Sequence, residues 1–363
     1  AEARVLRALG YYFMIDLFGK GPWVLDSPVG AVPPTYDRQQ LFDGTVAELV
    51  DVIGSGHLRP AAQQAYGRVS REAARMLLAK LYLNAKVYVG TPMYDKCAEQ
   101  CLEITKTITS LAPTYKYLFC ASNDKYVGNG EILWALPQQS GMMETWGGTT
   151  YLTAGAFIES APDEVLAKLG TSSSMVWSGV RMRPELSTAF EPGDKRALYY
   201  AGDFKVGVQD LDNYDAESDG YMCIKYTYTT EDDYENTAGI VSPAMCNADY
   251  PLFRLADTYL MLAECQLNGV DCNGKQYFDA VRTRAGLPVT GLTPESLLHE
   301  RQTELYWEGF RRSDLIRFGK YTGSTYNWSW KGGVYEGVAI DDTRAIFAIP
   351  YQYVATVGQN PGY

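Results

Sequence analysis

Two stretches far apart in the chain share one design, and that design limits the possible folds more than any other feature. Ser70 suits a helix N-cap, and residues 71–86 (REAARMLLAKLYLNAK) set Ala74, Leu77, Leu78, Leu81 and Ala85 along one stripe. Gly90-Thr91-Pro92 interrupts the pattern, and a partner helix is predicted over 94–109 with Ala98, Leu102 and Ile108 turned inward. The second copy runs Leu255–Leu267 (LADTYLMLAECQL), then Asn268-Gly269 and a loop, then Lys275–Arg284, with Ala256, Tyr259, Ala263 and Ala280 at matching small or apolar positions. Two helices, a short turn and alanines at the closest approach make a tetratricopeptide-type hairpin. One such hairpin cannot bury its apolar face alone, so the pairs 1–53, 71–109 and 255–284 are predicted to pack together.

Further helices are expected at Ala1–Phe18, ended by Gly19, Gly21 and Pro22, and at Arg38–Ile53 after a link containing Pro28, Pro33 and Pro34. A last helical block spans Thr293–Gly319, with Thr293 as N-cap and Pro294 at the first helical position. The organisation predicted is one domain: a helical scaffold over 1–110, a loop-rich insertion over 111–250, scaffold again over 251–320, and a loop-rich tail over 321–363. The insertion has no long helical period. It holds strand-like pieces at Glu131–Ala135 and Tyr221–Thr229 and a short helix near Asp163–Leu169. Long excursions on a helical scaffold are where binding usually resides.

Composition removes several functions. Lys+Arg is 32 and Asp+Glu is 43, so the net charge of −11 argues against nucleic-acid binding, which draws its affinity from basic surface. The apolar run Ala8–Ile15 is cut by Asp16, and no stretch is long enough for a spanning helix. Histidine occurs only twice, at His57 and His299, without Cys-x-x-Cys partners, which removes most zinc sites. The seven cysteines leave at least one free thiol; Cys97 and Cys101 share a helix face in poor disulfide geometry, while Cys265 with Cys272, or Cys223 with Cys246, could pair. The chain begins at Ala1 inside a helical pattern, so a removed leader or a piece of a longer protein is expected.

Signatures of phosphate-binding loops, dinucleotide folds, G-x-S-x-G hydrolases and H-E-x-x-H zincins are all absent. Asp210, Asp212, Asp215 and Asp219 form either a calcium loop or, on spacing alone, a solvated acidic loop; no cofactor is predicted, and no metal. Glu300, Glu304 and Glu308 lie on one helix face near Arg301, Arg311, Arg312 and Arg317. Arginines favour ionised carboxylates, whereas glycoside hydrolysis needs one carboxyl kept protonated, so this row is predicted to be structural.

The aromatic loops are the better functional candidates. Tyr (28) and Trp (7) together far outnumber Phe (12), and side chains with an apolar face and a polar tip suit half-exposed binding surfaces. Trp146 lies between glycines in GMMETWGGTTY, with Tyr151 at the end of that stretch; Trp177 lies in SSSMVWSGV; Tyr326, Trp328 and Trp330 alternate in STYNWSWKGG. An indole in a polar, Gly-rich loop needs a flat partner, either a pyranose face or a neighbouring loop. The candidate ligand-binding residues are Trp146, Trp177, Tyr151, Tyr326 and Trp328.

Taken in order, AEARVLRALGYYFMIDLFGKGPWV (1–24), residues 71–97, NGEILWALP (129–137), RPELSTAFEPGDKR (183–196), PLFRLADTYLMLAECQLNG (251–269), FDAVRTRAGLP (278–288), ERQTELYWEGFRRSDLIRFGKY (300–321) and the stretch from IFAIPYQYV to QNPGY resemble the SusD/RagB-like proteins of Bacteroidetes. The resemblance spans nearly the whole chain. It implies a mostly α fold, tetratricopeptide-like hairpins forming a SusD-like α-α superhelix with loop-rich insertions and a few short strands. It also implies a non-enzymatic, surface-exposed outer-membrane lipoprotein that binds glycan and works beside a SusC-like TonB-dependent transporter. Its membrane association would come only through a lipid anchor upstream, with further residues before Ala1. A peptide or glycoprotein receptor of the same fold is the alternative, and a glycoside hydrolase a third. Glycan affinity is expected in the micromolar to millimolar range by ordinary affinity arithmetic.

Overall fold

The computed structural model describes residues 1–26, 32–128, 130–205, 220–234 and 245–363. The acidic residues 210–219 and Pro28 lie outside these.

The scaffold is built from the predicted hairpins. Helices α1 (Glu2–Leu17) and α2 (Arg38–Gly54) pack side by side, α3 (Arg71–Leu83) packs on α5 (Tyr94–Thr105), and α9 (Leu255–Leu267) on α10 (Gly274–Arg284). Contacts of α2 with α3 and of α5 with α9 join the pairs into one stack. Ala73, Ala74, Ala256 and Ala263 are fully buried at these seams, where a small side chain lets backbones approach. At Gly274 an added Cβ would lie 2.3 Å from Leu262 O, so only glycine allows α10 to start that close to α9. Start signals operate as expected: Ser70 Oγ accepts from Ala73 N (3.1 Å), and Asp37 and Gln40 form a reciprocal capping box at α2.

Two helices are shorter than the pattern predicts. The 71–86 helix stops at Leu83, because the Asn84 side chain bonds back to Lys80 O (2.9 Å) and a separate turn α4 (Ala85–Val89) follows. The 94–109 helix stops at Thr105. The 293–319 block is two helices, α11 (Pro294–Leu305) and α12 (Arg311–Arg317). Trp307 (φ 61°) and Gly309 (φ 82°) turn left-handed between them, a conformation no continuous helix tolerates. The predicted N-cap Thr293 does head α11, through a capping box with Ser296.

The 111–250 stretch encloses a second apolar core, which includes Tyr115, Phe119, Phe157, Met222, Tyr226, Tyr228 and, from the scaffold, Tyr306. Its helices α6 (Gly148–Ala154), α7 (Asp163–Lys168) and α8 (Pro184–Ser187) are short. The strand expected over 221–229 shrinks to β5 (Met222–Cys223), paired with β4 (Tyr199–Tyr200). Beyond it the backbone bonds scatter: Thr227 N donates to Phe119 O, Tyr228 N to Leu169 O, and Thr229 O accepts from Ala121 N. The segment is buried yet has no single partner strand. Antiparallel β3 (Ile132–Leu136) and β6 (Tyr250–Arg254) run between the cores, and β1 (Lys20–Pro22) pairs with β2 (Thr35–Asp37). A last helix, α13 (Tyr351–Val357), lies outermost, with no residue buried.

All seven cysteines are buried free thiols, so neither Cys265–Cys272 nor Cys223–Cys246 is bonded. Cys272 instead donates to Leu262 O (3.3 Å) and Cys246 to Thr227 O (3.6 Å).

Candidate functional site

Three of the five aromatic candidates meet on the surface. Trp146 lies 5.9 Å from Trp177 (centroid to centroid, 49° between planes), and Tyr151 lies 6.2 Å from Trp177 (45°). Trp146, Tyr151 and Trp177 are 61 %, 48 % and 41 % exposed. Large aromatic area left in water is costly, at about 25 cal/mol per Å2 of apolar surface, so a shared bare patch of this kind is a candidate contact surface.

Local backbone chemistry holds each ring out. Thr149, Thr150 and Thr153 fill the inner face of α6 and are fully buried. Thr153 Oγ1 donates to Thr149 O (2.8 Å) and Thr150 Oγ1 accepts from Cys246 N (3.1 Å), which leaves Tyr151 on the outer face. Trp177 is clamped to the end of the same helix. Its N–H donates to Ala154 O (2.7 Å), Gly179 N to Gly155 O (2.9 Å), and Ser178, at φ 51°, donates to Phe157 O (3.0 Å). Trp146 stands just before α6, where Gly148 takes φ 59°. Its loop is closed at the base by paired Gln139–Met143 backbone bonds (2.8 Å each) and anchored by Ser140 N to Asn247 Oδ1 (2.8 Å). These bonds fix the backbone that carries the three rings, and the mutual tilts of the rings make a bent shelf.

Tyr326 and Trp328 do not join this shelf. They line a separate cleft of about 270 Å3 with Tyr321, Arg183, Glu185 and Arg311. Trp328 stacks on Tyr321 (5.7 Å, 29°), the Lys331 ammonium sits 4.8 Å from the Trp328 ring, and Tyr326 Oη accepts from Arg311 Nη2 (2.8 Å). Sequence reasoning missed the arginines and Glu185 of this cleft. Their spacing carried no signal, because Arg183 and Arg311 come from different elements.

The Glu300–Glu304–Glu308 row is buried between the two cores as an ion-pair belt. Glu300 meets Arg196 (2.5 Å) and Arg282 (2.9 Å); Glu304 meets Arg254 (2.9 Å) and Arg284 (2.5 Å); Glu308 meets Arg254 and Lys225 (both 2.7 Å). Glu131 closes the belt through Arg254 (2.6 Å) and Arg284 (2.9 Å). Burial pushes the Glu304 carboxyl up, but Arg284, Arg254 and Arg196 outweigh it and hold the group far below the usual carboxylate range. Burial pulls Lys225 down to about 8 against the opposing pull of Glu308. A carboxylate so firmly ionised cannot serve as a general acid, and this one has no solvent access. Among the described residues, no group of three or more His, Cys, Asp or Glu side chains is arranged to hold a metal.

A family model described as the SusD family matches residues 199–359. The whole chain is 29 % identical, over 419 aligned residues, to the starch-binding protein SusD of Bacteroides thetaiotaomicron, spanning 72 % of that protein. It is 26 % identical to a SusD-like protein of Formosa agariphila, with 88 % of this chain matched to 63 % of that one. Two solved structures share the fold. Surface glycan-binding protein A of Bacteroides uniformis superposes with a TM-score of 0.73 at 22 % identity, over 99 % of this chain and 76 % of its own. Surface glycan-binding protein A of Bacteroides thetaiotaomicron in complex with laminarihexaose gives 0.72 at 20 %, over 99 % and 77 %.

Proposed function

From the premise that this chain is a member of the SusD family, we propose that it is a non-catalytic glycan-binding protein of the bacterial cell surface. The observation that carries the reading is the exposed shelf of Trp146, Tyr151 and Trp177, three rings from two stretches of the sequence. Sugar rings present flat C–H faces that stack on such surfaces, while hydroxyls are left to water and neighbouring polar groups. The names of the relatives support this: one binds starch and another was solved with laminarihexaose. They are named as binding proteins, and the belt around Glu304 offers no protonated carboxyl for hydrolysis.

A preformed shelf avoids ordering costs, but it gains only what ring burial supplies, so affinity is of micromolar to millimolar order. The wider setting belongs to the same proposal: a lipid-anchored outer-membrane protein that passes oligosaccharide to a SusC-like TonB-dependent transporter. An affinity-gel screen of neutral polysaccharides tests the core of it. Retardation by at least one glucan, lost in Trp146→Ala, is expected; equal retardation of the variant and wild type places binding elsewhere. Co-purification with a TonB-dependent transporter from the native membrane tests the partner.

A further inference from the structure

The arginines of the α11–α12 segment behave in two ways. Arg301 is paired with Asp257 and Asp314, Arg312 with Asp16, and Arg317 with Glu264 and Asp314, all within 2.9 Å. Arg311 is different. Its Nη1 donates to Leu298 O (3.0 Å) and its Nη2 to Gln302 Oε1 (2.9 Å) and Tyr326 Oη (2.8 Å), all neutral acceptors. Among the described residues no carboxylate lies within salt-bridge distance of it. A guanidinium carries five N–H donors, so part of the fork is still open, and among the described residues no carboxylate pairs with its charge.

Arg311 is also placed where a ligand could reach it. It lines the 270 Å3 cleft with Trp328 and the adjoining cleft of about 300 Å3 walled by Leu305, Tyr306 and Trp307. The two share Arg183, Leu186, Gln302 and Arg311, and so form one trough of a size usual for small-ligand sites, roughly 300–1,000 Å3. Among the described residues the one carboxylate lining it is Glu185, which is engaged in hydrogen bonds through a single oxygen. Its Oε1 accepts from Ser329 N (2.6 Å) and from the Ser329 hydroxyl, and its Oε2 faces Arg183 Nε at 3.6 Å. Among the described residues the trough therefore has apolar and aromatic walls and more cationic than anionic side chains, in a chain whose overall charge is −11. Charges farther than about 8 Å are screened at physiological salt, so the local guanidinium governs what enters.

We propose that this trough is a second carbohydrate subsite, distinct from the Trp146–Tyr151–Trp177 shelf, and that it takes an acidic sugar: a pyranose carrying a carboxylate or sulfate. Its ring lies against Trp328 and its oxyanion meets Arg311, with Arg183 at the rim. The inference rests on the glycan-binding reading only for the class of ligand; the charge selection comes from Arg311.

Calorimetric titration of the full chain with digalacturonate, a sulfated galactose disaccharide and neutral laminaribiose tests it. Such short ligands occupy one subsite at a time. At least one acidic disaccharide is expected to bind at least tenfold more tightly than the neutral one, with affinity falling as salt rises; which one binds identifies the anion. Trp328→Ala and Arg311→Lys should each weaken it about tenfold, and Arg183→Gln, at an exposed position, about threefold. Trp177→Ala should leave it unchanged while abolishing retardation by neutral glucan. Equal affinity for acidic and neutral disaccharides, or acidic binding untouched by Trp328→Ala and Arg183→Gln, overturns the proposal. Loss of neutral-glucan retardation in wild type would instead count against the shelf.

Discussion

The belt around Glu304 and the shelf around Trp177 differ in almost every physical respect. Belt residues come from both cores, are sealed from water, and each charge has an opposite partner. Shelf residues come from one neighbourhood, stand about half in water, and set their rings against one another. Carboxylates in a row can suggest catalysis, yet here they hold two halves of a fold together. Lone tryptophans in glycine-rich loops can suggest packing, yet here they are left without a cover. What separates the shelf from the belt is whether the side chain's partners are already inside the chain.

Breaking the belt should show the largest effect. Glu304→Gln leaves Arg254 and Arg284 short of one buried negative charge, and a loss of about 3–5 kcal/mol in urea unfolding is expected, as for other broken buried pairs. Glycan affinity of the remaining folded protein should not change; a loss of binding without a loss of stability would reverse the roles assigned to the two regions.

Acid should act next, and only on architecture. Burial raises Asp257, but Lys80 and Arg301 pull it down to about 2 from an ordinary 3.8, and Glu304 is lowered in the same sense. Groups depressed on folding stabilise the protein fully above their unfolded pKa and lose that contribution as pH falls through the folded value. Stability should therefore be level between about pH 5 and pH 7 and decline towards pH 2, with Asp257 accounting for about 2 kcal/mol. Unfolding midpoints in urea between pH 7 and pH 2.5 check this; a flat profile would mean the belt's charges are not held in the folded state.

Truncating the shelf should cost binding and spare the fold. Trp177→Ala is expected to weaken neutral-glucan binding more than tenfold, about 1.4 kcal/mol, with the melting temperature nearly unchanged. The smallest effect belongs to the tail. Trp328→Ala should alter neutral-glucan affinity by less than about threefold, under ~0.7 kcal/mol, because its ring lines the trough and not the shelf. A tenfold loss there would merge the trough and the shelf into one site.

The sequence carried the scaffold well and the insertion poorly, for a physical reason. In 71–83 and 255–267 the helix bonds are local, so alanine and leucine spacing reports the packing face directly. In 221–229 the backbone partners are Phe119, Leu169 and Ala121, and nothing within the segment encodes them. The break at Trp307–Gly309 had a visible cue in Gly309, but the charge pattern on either side masked it. Among the aromatics, Trp146 and Trp328 sit in similar polar, glycine-bearing contexts. Only the tertiary placement of Tyr321, Lys331 and Arg311 against one, and of Trp177 and Tyr151 beside the other, distinguishes them.

The most direct measurement is isothermal titration of a neutral glucan oligosaccharide into wild type and the Trp146→Ala/Trp177→Ala double variant, with melting curves on the same samples. If the shelf does the recognising, wild type binds in the micromolar to millimolar range, the double variant shows no heat of binding, and the two melt together. Undiminished binding by the double variant, or its unfolding, would mean that the rings serve packing and that sugars are held elsewhere.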